Sequence, residues 1–383
     1  MLDPVTKYIY IVSMGTAITD VPFNVERSSG RILEGFITAP SGKHQPGFIT
    51  VWMHGTMSDY NHNFTQDLAN KMCKDRGICS YRFNLRYHST ENEPDHRYRF
   101  SGFDDDIDDM RYVVRALKKA GYEVWALIGH SRGANDALIY ASRYYHSSIS
   151  LSKSSDSVAT LASMIDNNSN NGGAQVEDND DLMIDVGKLA VVSIAPRCNM
   201  KRMPKCIFSS DQLSELEVTG KFTWETQRGP LEVTREDVAI VNKMDMKEIV
   251  TSIPASVPVL MLHGSEDELI PVEDAHAFKK ARESIDLTVV EGARHAFRGK
   301  KQLKLLLNTV STWLGERMPD KGTSKKVHSD VSNYASSSNN TARLPQGIVD
   351  GPTVTVEDST SSVCTEVFPR CSFSRPNPII VIV

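Results

Sequence analysis

Five residues, Gly129-His130-Ser131-Arg132-Gly133, carry the first chemical signal in the chain. A serine hydroxyl is a poor nucleophile until a base removes its proton, so it needs both a partner and a geometry. The spacing G-x-S-x-G supplies the geometry when a buried strand runs into it and a helix leaves it. Here the apolar run Val124 to Ile128 leads in, and a helix is expected from about Arg132. The flanking glycines fit a tight turn in which side chains at 129 or 133 would clash with neighbouring backbone. The hydroxyl would then stand above a sheet at a helix N-terminus, where negative charge is favoured. The bland alternative is an ordinary serine in a strand-to-helix turn.

Partners for Ser131 are expected later in the chain, the acid before the histidine. The apolar run Val257 to Leu262 ends in His263-Gly264-Ser265-Glu266-Asp267-Glu268. Asp267 is a candidate acid, with Glu266 and Glu268 as rivals by position. His295 is the first histidine after the last strand pattern, Leu287 to Val290, and precedes the last helix pattern. With eleven histidines in the chain, that position matters more than residue type. Asp267 would orient the imidazole, and His295 would carry the proton. An oxyanion needs two backbone donors. One candidate is the N–H of Arg132, and the second is the N–H of Thr56, after the strand-end His54-Gly55. His54 itself reads as structural.

These residues need a scaffold of alternating strands and helices. Strand patterns occur at Tyr8 to Val12, Ile32 to Thr38, Phe48 to Met53, Cys79 to Phe83 and Leu189 to Ile194, besides those above. Helical spacing runs over Phe64 to Lys74, Asp106 to Lys119 and Gln302 to Leu314. In the second of these, Ile107, Met110, Val113, Val114 and Leu117 fall on one face, and acids lead while bases trail. Strands alternating with helices predict an α/β class fold, a mostly parallel central sheet covered on both faces.

Residues 146–185 break the pattern with Ser-, Asn- and Asp-rich stretches and read as a disordered insertion, with a short helix expected over Val158 to Ile165. Residues 319–383 read as a disordered C-terminal tail, leaving 1–318 as one folded domain. The formal net charge of −5 gives no argument for nucleic acid. No apolar run is long enough to span a membrane. The N-terminus lacks the basic start of a secretory signal, so a cytoplasmic location is expected. The six cysteines form no CxxC pattern and read as reduced structural thiols, not zinc ligands. No cofactor motif is visible, and oligomeric state is not legible.

Taken together these motifs resemble the α/β-hydrolase superfamily, and within it the cinnamoyl and feruloyl esterases and the serine-aminopeptidase-like hydrolases. His54-Gly55, the motif at 129–133, the block 263–275 (HGSEDELIPVEDA) and Glu291-Gly292-Ala293-Arg294-His295 stand in family order between Gly35 and Leu314. The resemblance implies that Asp267 is the acid. It implies a small cap after the sixth strand, about 196–252, in which residues 221–225 and 230–234 look like a hairpin. Trp224, Phe222, Met203 and Phe208 could wall an acyl or aryl pocket there, or simply pack a core. One departure is Asn84-Leu85-Arg86-Tyr87-His88-Ser89, where relatives carry an Asp- and Gly-rich loop. Arg86, His88 and Arg132 would then either bind an anionic group or lie on a solvated surface. The implied activity is hydrolysis of a small-molecule carboxylic ester. A lipase, thioesterase or peptidase on the same residues is the first alternative, and a non-catalytic binding protein the second.

Overall fold

The computed structural model describes residues 17–42, 46–62, 64–86, 102–146, 183–202, 208–226 and 229–319. The strand expected at Tyr8 to Val12, the helix expected at Val158 to Ile165, His88, Met203 and the tail from 320 lie outside them.

One sheet holds β1 (Ile18–Pro22), β2 (Gly35–Pro40), β3 (Phe48–Met53), β4 (Cys79–Phe83), β5 (Glu123–His130) and β6 (Ala190–Ile194). After a separate hairpin of β7 (Lys221–Thr226) and β8 (Gly229–Thr234), it is completed by β9 (Val259–Gly264) and β10 (Asp286–Val290). The eight strands lie in the order β1-β2-β4-β3-β5-β6-β9-β10. Only the β1–β2 and β2–β4 pairs are antiparallel; the rest are parallel. The helices are α1 (Thr65–Arg76), α2 (Asp104–Lys119), α3 (Arg132–Arg143), α4 (Ser210–Thr219), α5 (Arg235–Asn242), α6 (Met246–Ser252), α7 (Glu273–Ala281) and α8 (Lys300–Gly315).

The period-2 alternation of strands explains the two cores. Val51, Leu127, Val191 and Met261 enter one, together with Met110, Val113 and Leu117 of α2 and Leu138 of α3. Their strand neighbours Trp52, Ile128, Val192, Leu260 and Leu262 enter the other, with Leu68 and Met72 of α1 and Leu306 and Val310 of α8. Both faces are covered, so the central strands read as continuous apolar runs.

One strand expectation needs correction, and one strand was not expected. The segment Ile32 to Thr38 is not one strand: Ile32–Leu33 pairs with Val25–Glu26 as a small ribbon, and β2 starts at Gly35. Gly35 lies against the Tyr81 ring, where a Cβ would come within 2.4 Å of the phenolic oxygen. The edge strand β1 carried no apolar signature because its side chains are mostly exposed. At the interrupted region, Tyr145–His146 pairs in parallel with Ile184–Asp185, so the described chain on the two sides of the interruption meets at one place. No helix among the described residues is long and apolar enough to cross a membrane.

The segment after the sixth strand contains α4, the expected hairpin, α5 and α6. The hairpin register pairs Lys221 with Thr234 and Trp224 with Leu231. The helices beside it were not read from the sequence, although Ser209 with Gln212 and Thr234 with Asp237 form capping boxes that mark their starts. Two anchors hold the segment's beginning. The Asn135 side chain of α3 accepts from Arg197 N–H and donates to its carbonyl, at 3.0 and 2.7 Å. The Asp274 carboxylate of α7 accepts from the N–H groups of Cys198 and Asn199, at 2.8 and 3.1 Å.

Candidate active site

Parallel strands bring their C-terminal ends to one edge of the sheet, where ligands of such folds bind. The loops after β3, β5, β9 and β10 carry Thr56, Ser131, Asp267 and His295. Cross-strand register brings the ends into line: Met53 pairs with Gly129, His130 with Ile194, and Ile194 with Leu262.

Ser131 has φ 57° and ψ −119° between β5 and α3. That conformation costs on the order of 1–3 kcal/mol for a residue with a side chain. It persists because the surroundings leave no alternative. A Cβ on Gly129 would sit 1.9 Å from the Gly133 carbonyl oxygen, and one on Gly133 would sit 2.3 Å from that of Met53. The serine N–H donates to Ile194 at 2.8 Å, pinning the turn to β6. Among the described residues the non-glycine positive-φ positions are Met57, Ser131, Ala195 and Phe297. Each follows a different one of the strands β3, β5, β6 and β10, and strain of this kind gathers at functional sites.

His295 and Asp267 meet directly. Nδ1 of His295 donates to Oδ2 of Asp267 at 2.7 Å, with both side chains buried. The other carboxylate oxygen, Oδ1, accepts from the N–H groups of Leu269 and Ile270, each at 2.9 Å. Burial alone would raise the Asp267 pKa. The opposing pull of His295, the Ile270 amide and His263 is stronger and holds it below the usual carboxylate range. Glu266 is exposed, and Glu268 turns to the backbone N–H of His295 at 3.2 Å. Of the three adjacent acids, only Asp267 faces the imidazole.

Ser131 Oγ and His295 Nε2 are both buried with no hydrogen-bond partner among the described residues. They are the two atoms that a proton transfer would join. His130, next to the serine, has its ring centroid 4.9 Å from that of His295. Its own Nε2 donates to the His295 carbonyl at 3.0 Å. Burial, with His295 beside it, pushes the His130 pKa down to about 3, so the ring is neutral. Sequence reasoning had passed over His130, because the second place of G-x-S-x-G carries no motif constraint.

The loop after β3 lies against the serine. A Cβ on Gly55 would be 3.2 Å from Ser131 Cβ. His54 is buried, as a structural residue should be. Its Nδ1 donates to the Gly55 carbonyl at 2.8 Å, and its Nε2 accepts from Leu85 N–H at 3.1 Å. That bond sets the plane of the peptide whose N–H belongs to Thr56. Thr56 is itself buried, and Arg132 opens α3.

The two readings offered for Arg86 and Arg132 both need correction. Neither side chain is a solvated surface group or an open anion site. Arg132 pairs with Asp106 at 2.5 Å, donates to Gly102 O at 2.6 Å and lies over the Phe103 ring. Arg86 pairs with Asp105, Asp108 and Asp109 at 3.1, 2.6 and 2.8 Å. The acidic start of α2 therefore draws both guanidinium groups inward. Phe208 packs edge-on against Phe222 and Trp224, with ring centroids 5.0 and 5.3 Å away. All three belong to the segment between β6 and β9 and are buried in its share of the core.

The strand order, the covered sheet and the strained strand-to-helix turn define an α/β-hydrolase fold. The chain belongs to the serine aminopeptidase S33 family of hydrolases, matched over residues 45–302. Among solved structures it is similar to the esterase Est1E of Butyrivibrio proteoclasticus with ferulic acid bound. That pair shares 15% identity at a TM-score of 0.54, covering 77% of this chain and 98% of the other. A Pyrococcus furiosus esterase is similar at 14% identity and a TM-score of 0.50, covering 79% and 92%. At such identities the likeness is one of fold. No curated protein sequence matches the chain.

Proposed function

We propose that this hydrolase cleaves small acyl or aryl carboxylic esters through an acyl-enzyme on Ser131. The carrying observation is the buried 2.7 Å bond from His295 Nδ1 to Asp267, beside a serine held at positive φ. With the Nδ1 proton held in the hydrogen bond to the carboxylate, Nε2 is left as the acceptor. Ser131 Oγ attacks the ester carbonyl as its proton passes to His295 Nε2. The N–H groups of Thr56 and Arg132 receive the oxyanion. Collapse expels the alcohol, which takes the proton back from His295. Water then gives a proton to the same nitrogen, attacks the acyl group, and the acid leaves as Ser131 regains its hydrogen. Asp267 stays ionised throughout, since its pKa lies below the usual range.

The acyl or aryl group is assigned to the underside of the segment between β6 and β9. Trp224 keeps 8% of its surface accessible, against 1% for Phe208 and Phe222, so it is the aromatic residue we assign to substrate. The test is turnover of p-nitrophenyl acetate and butyrate by the purified protein and by Ser131→Ala. Loss in the variant is expected, and undiminished turnover refutes the reading. A peptidase reading is favoured by the family match alone. Faster cleavage of aminoacyl p-nitroanilides than of the esters would select it. Failure of a fluorophosphonate to label Ser131 in the folded protein would select a non-catalytic role.

A further inference from the structure

His295 stands in the loop after the edge strand β10, and three strand positions separate β10 from β5. At about 4.8 Å per strand, that loop must reach roughly 14 Å back across the sheet to serve Ser131. A loop crossing that distance needs something to hold it. Phe297 contributes by packing edge-on against Phe64, with centroids 5.9 Å apart. The backbone of His295 itself has two further holds, one on each side of its Cα. Its N–H donates to Glu268 Oε2 at 3.2 Å, and its C=O accepts from His130 Nε2 at 3.0 Å. Each hold comes from a residue adjacent to another member of the set. His130 precedes Ser131, and Glu268 follows Asp267.

We infer that His130 and Glu268 are positioning residues that clamp the His295 backbone between the serine turn and the acid loop. The inference rests on the acyl-enzyme reading above. The Asp267 bond limits rotation of the imidazole, but it cannot fix where the Cα sits. The two backbone bonds do that, and they tie the base to the two loops whose residues it must meet. His130 cannot be replaced by an apolar residue without leaving a buried carbonyl unsatisfied. It is 7% exposed, and its ring also meets Phe64 edge-on at 5.2 Å. Glu268 is itself steadied by Arg294, whose Nε lies 3.3 Å from the same carboxylate oxygen. Neither residue touches the reacting atoms, so their loss should slow the chemical step without weakening substrate binding.

The experiment compares full-length His130→Leu, His130→Gln, Glu268→Ala and Glu268→Gln with Ser131→Ala on p-nitrophenyl butyrate. Glutamine keeps a donor at 130 and an acceptor at 268. The Leu and Ala variants should lose roughly 10- to 100-fold in kcat, the range a displaced catalytic group produces. Their KM should stay within about twofold, and both Gln variants should recover most of the loss. Fluorophosphonate labelling rates of Ser131 should fall in parallel with kcat. The clamp is overturned if the Leu and Ala variants turn over normally, if the loss lies in KM, or if glutamine does not rescue. If His130→Leu does not fold, the Glu268 pair decides alone, since that side chain is 31% accessible. Turnover surviving in Ser131→Ala overturns the acyl-enzyme reading and the clamp with it. Turnover lost there but normal in the Leu and Ala variants overturns the clamp alone.

Discussion

Replacing Asp267 with asparagine changes one atom and should invert the polarity of the base. Oδ1 accepts two backbone N–H groups at 2.9 Å, and Oδ2 accepts Nδ1–H of His295 at 2.7 Å. An amide has one oxygen to offer. Turning its NH2 toward Leu269 and Ile270 would leave two buried donors facing donors, at about 1–3 kcal/mol each. The amide oxygen therefore stays with the two N–H groups, and the NH2 faces His295. Nδ1 must then accept, which moves the imidazole proton to Nε2, where it points at the serine. A base in that tautomer cannot take the Ser131 proton. The same inversion at a Ser-His-Asp site costs ~10⁴ in kcat, or about 5 kcal/mol of barrier. The assay is kcat on p-nitrophenyl acetate for wild type and Asp267→Asn, with thermal unfolding as a control. Folding should be nearly unchanged, because the loop keeps its acceptor. A loss smaller than about tenfold would refute the role given to Asp267 and the tautomer argument behind it.

His54→Ala should lower kcat/KM by about tenfold, less than the ~10²–10³ lost when an oxyanion donor is removed outright. It frees the Gly55–Thr56 peptide to turn without deleting its N–H, and fluorophosphonate labelling should slow with it. Phe222→Ala removes a wholly buried ring from the aromatic cluster and should cost about 3–5 kcal/mol in urea unfolding. Trp224→Ala, by contrast, should shift KM among aryl and alkyl esters if that ring meets substrate. Asp136 is buried with both carboxylate oxygens unpartnered among the described residues, and burial, with Asp106 nearby, pushes its pKa well above the usual range. A folded pKa above the unfolded one means the native state binds the proton more tightly. Stability then declines as pH rises from about 4, the unfolded carboxylate value, through the folded value. Asp136→Asn should flatten that decline when urea unfolding is compared at mildly acid and mildly alkaline pH.

The sheet was legible where its strands are central and buried. β3, β5, β6 and β9 read as largely apolar runs because both faces of the sheet are covered, whereas β4, which contains Ser80 and Arg82, read only as a short strand. β1 did not read as a strand, because an edge strand with exposed side chains has no such pattern. The capping boxes at Ser209 and Thr234 were available as helix signals in the segment after β6 but were not used. The short ribbon of Val25–Glu26 with Ile32–Leu33 was hidden inside what read as one strand, because its break depends on the Tyr81 ring pressing against Gly35.

What the sequence determined alone was local. The glycines around Ser131 demand a tight turn, and the strand before it and the helix after it follow from nearby residues. The order of serine, acid and histidine along the chain is likewise a property of the chain. Contacts between loops far apart in sequence were decided by the tertiary structure. Glu266, Asp267 and Glu268 are adjacent and chemically alike, so spacing could not choose among them. The family resemblance pointed to Asp267, and the fold turns that carboxylate to the imidazole and Glu268 to the backbone beside it. Arg86 and Arg132 read as either anion-binding or solvated groups, and the four aspartates that α2 brings to them exclude both readings. His130 was given no role by the motif, yet its ring holds the carbonyl of a residue 165 places away. Such pairings depend on how parallel strands stack their ends along one edge, and a linear pattern carries no record of that edge.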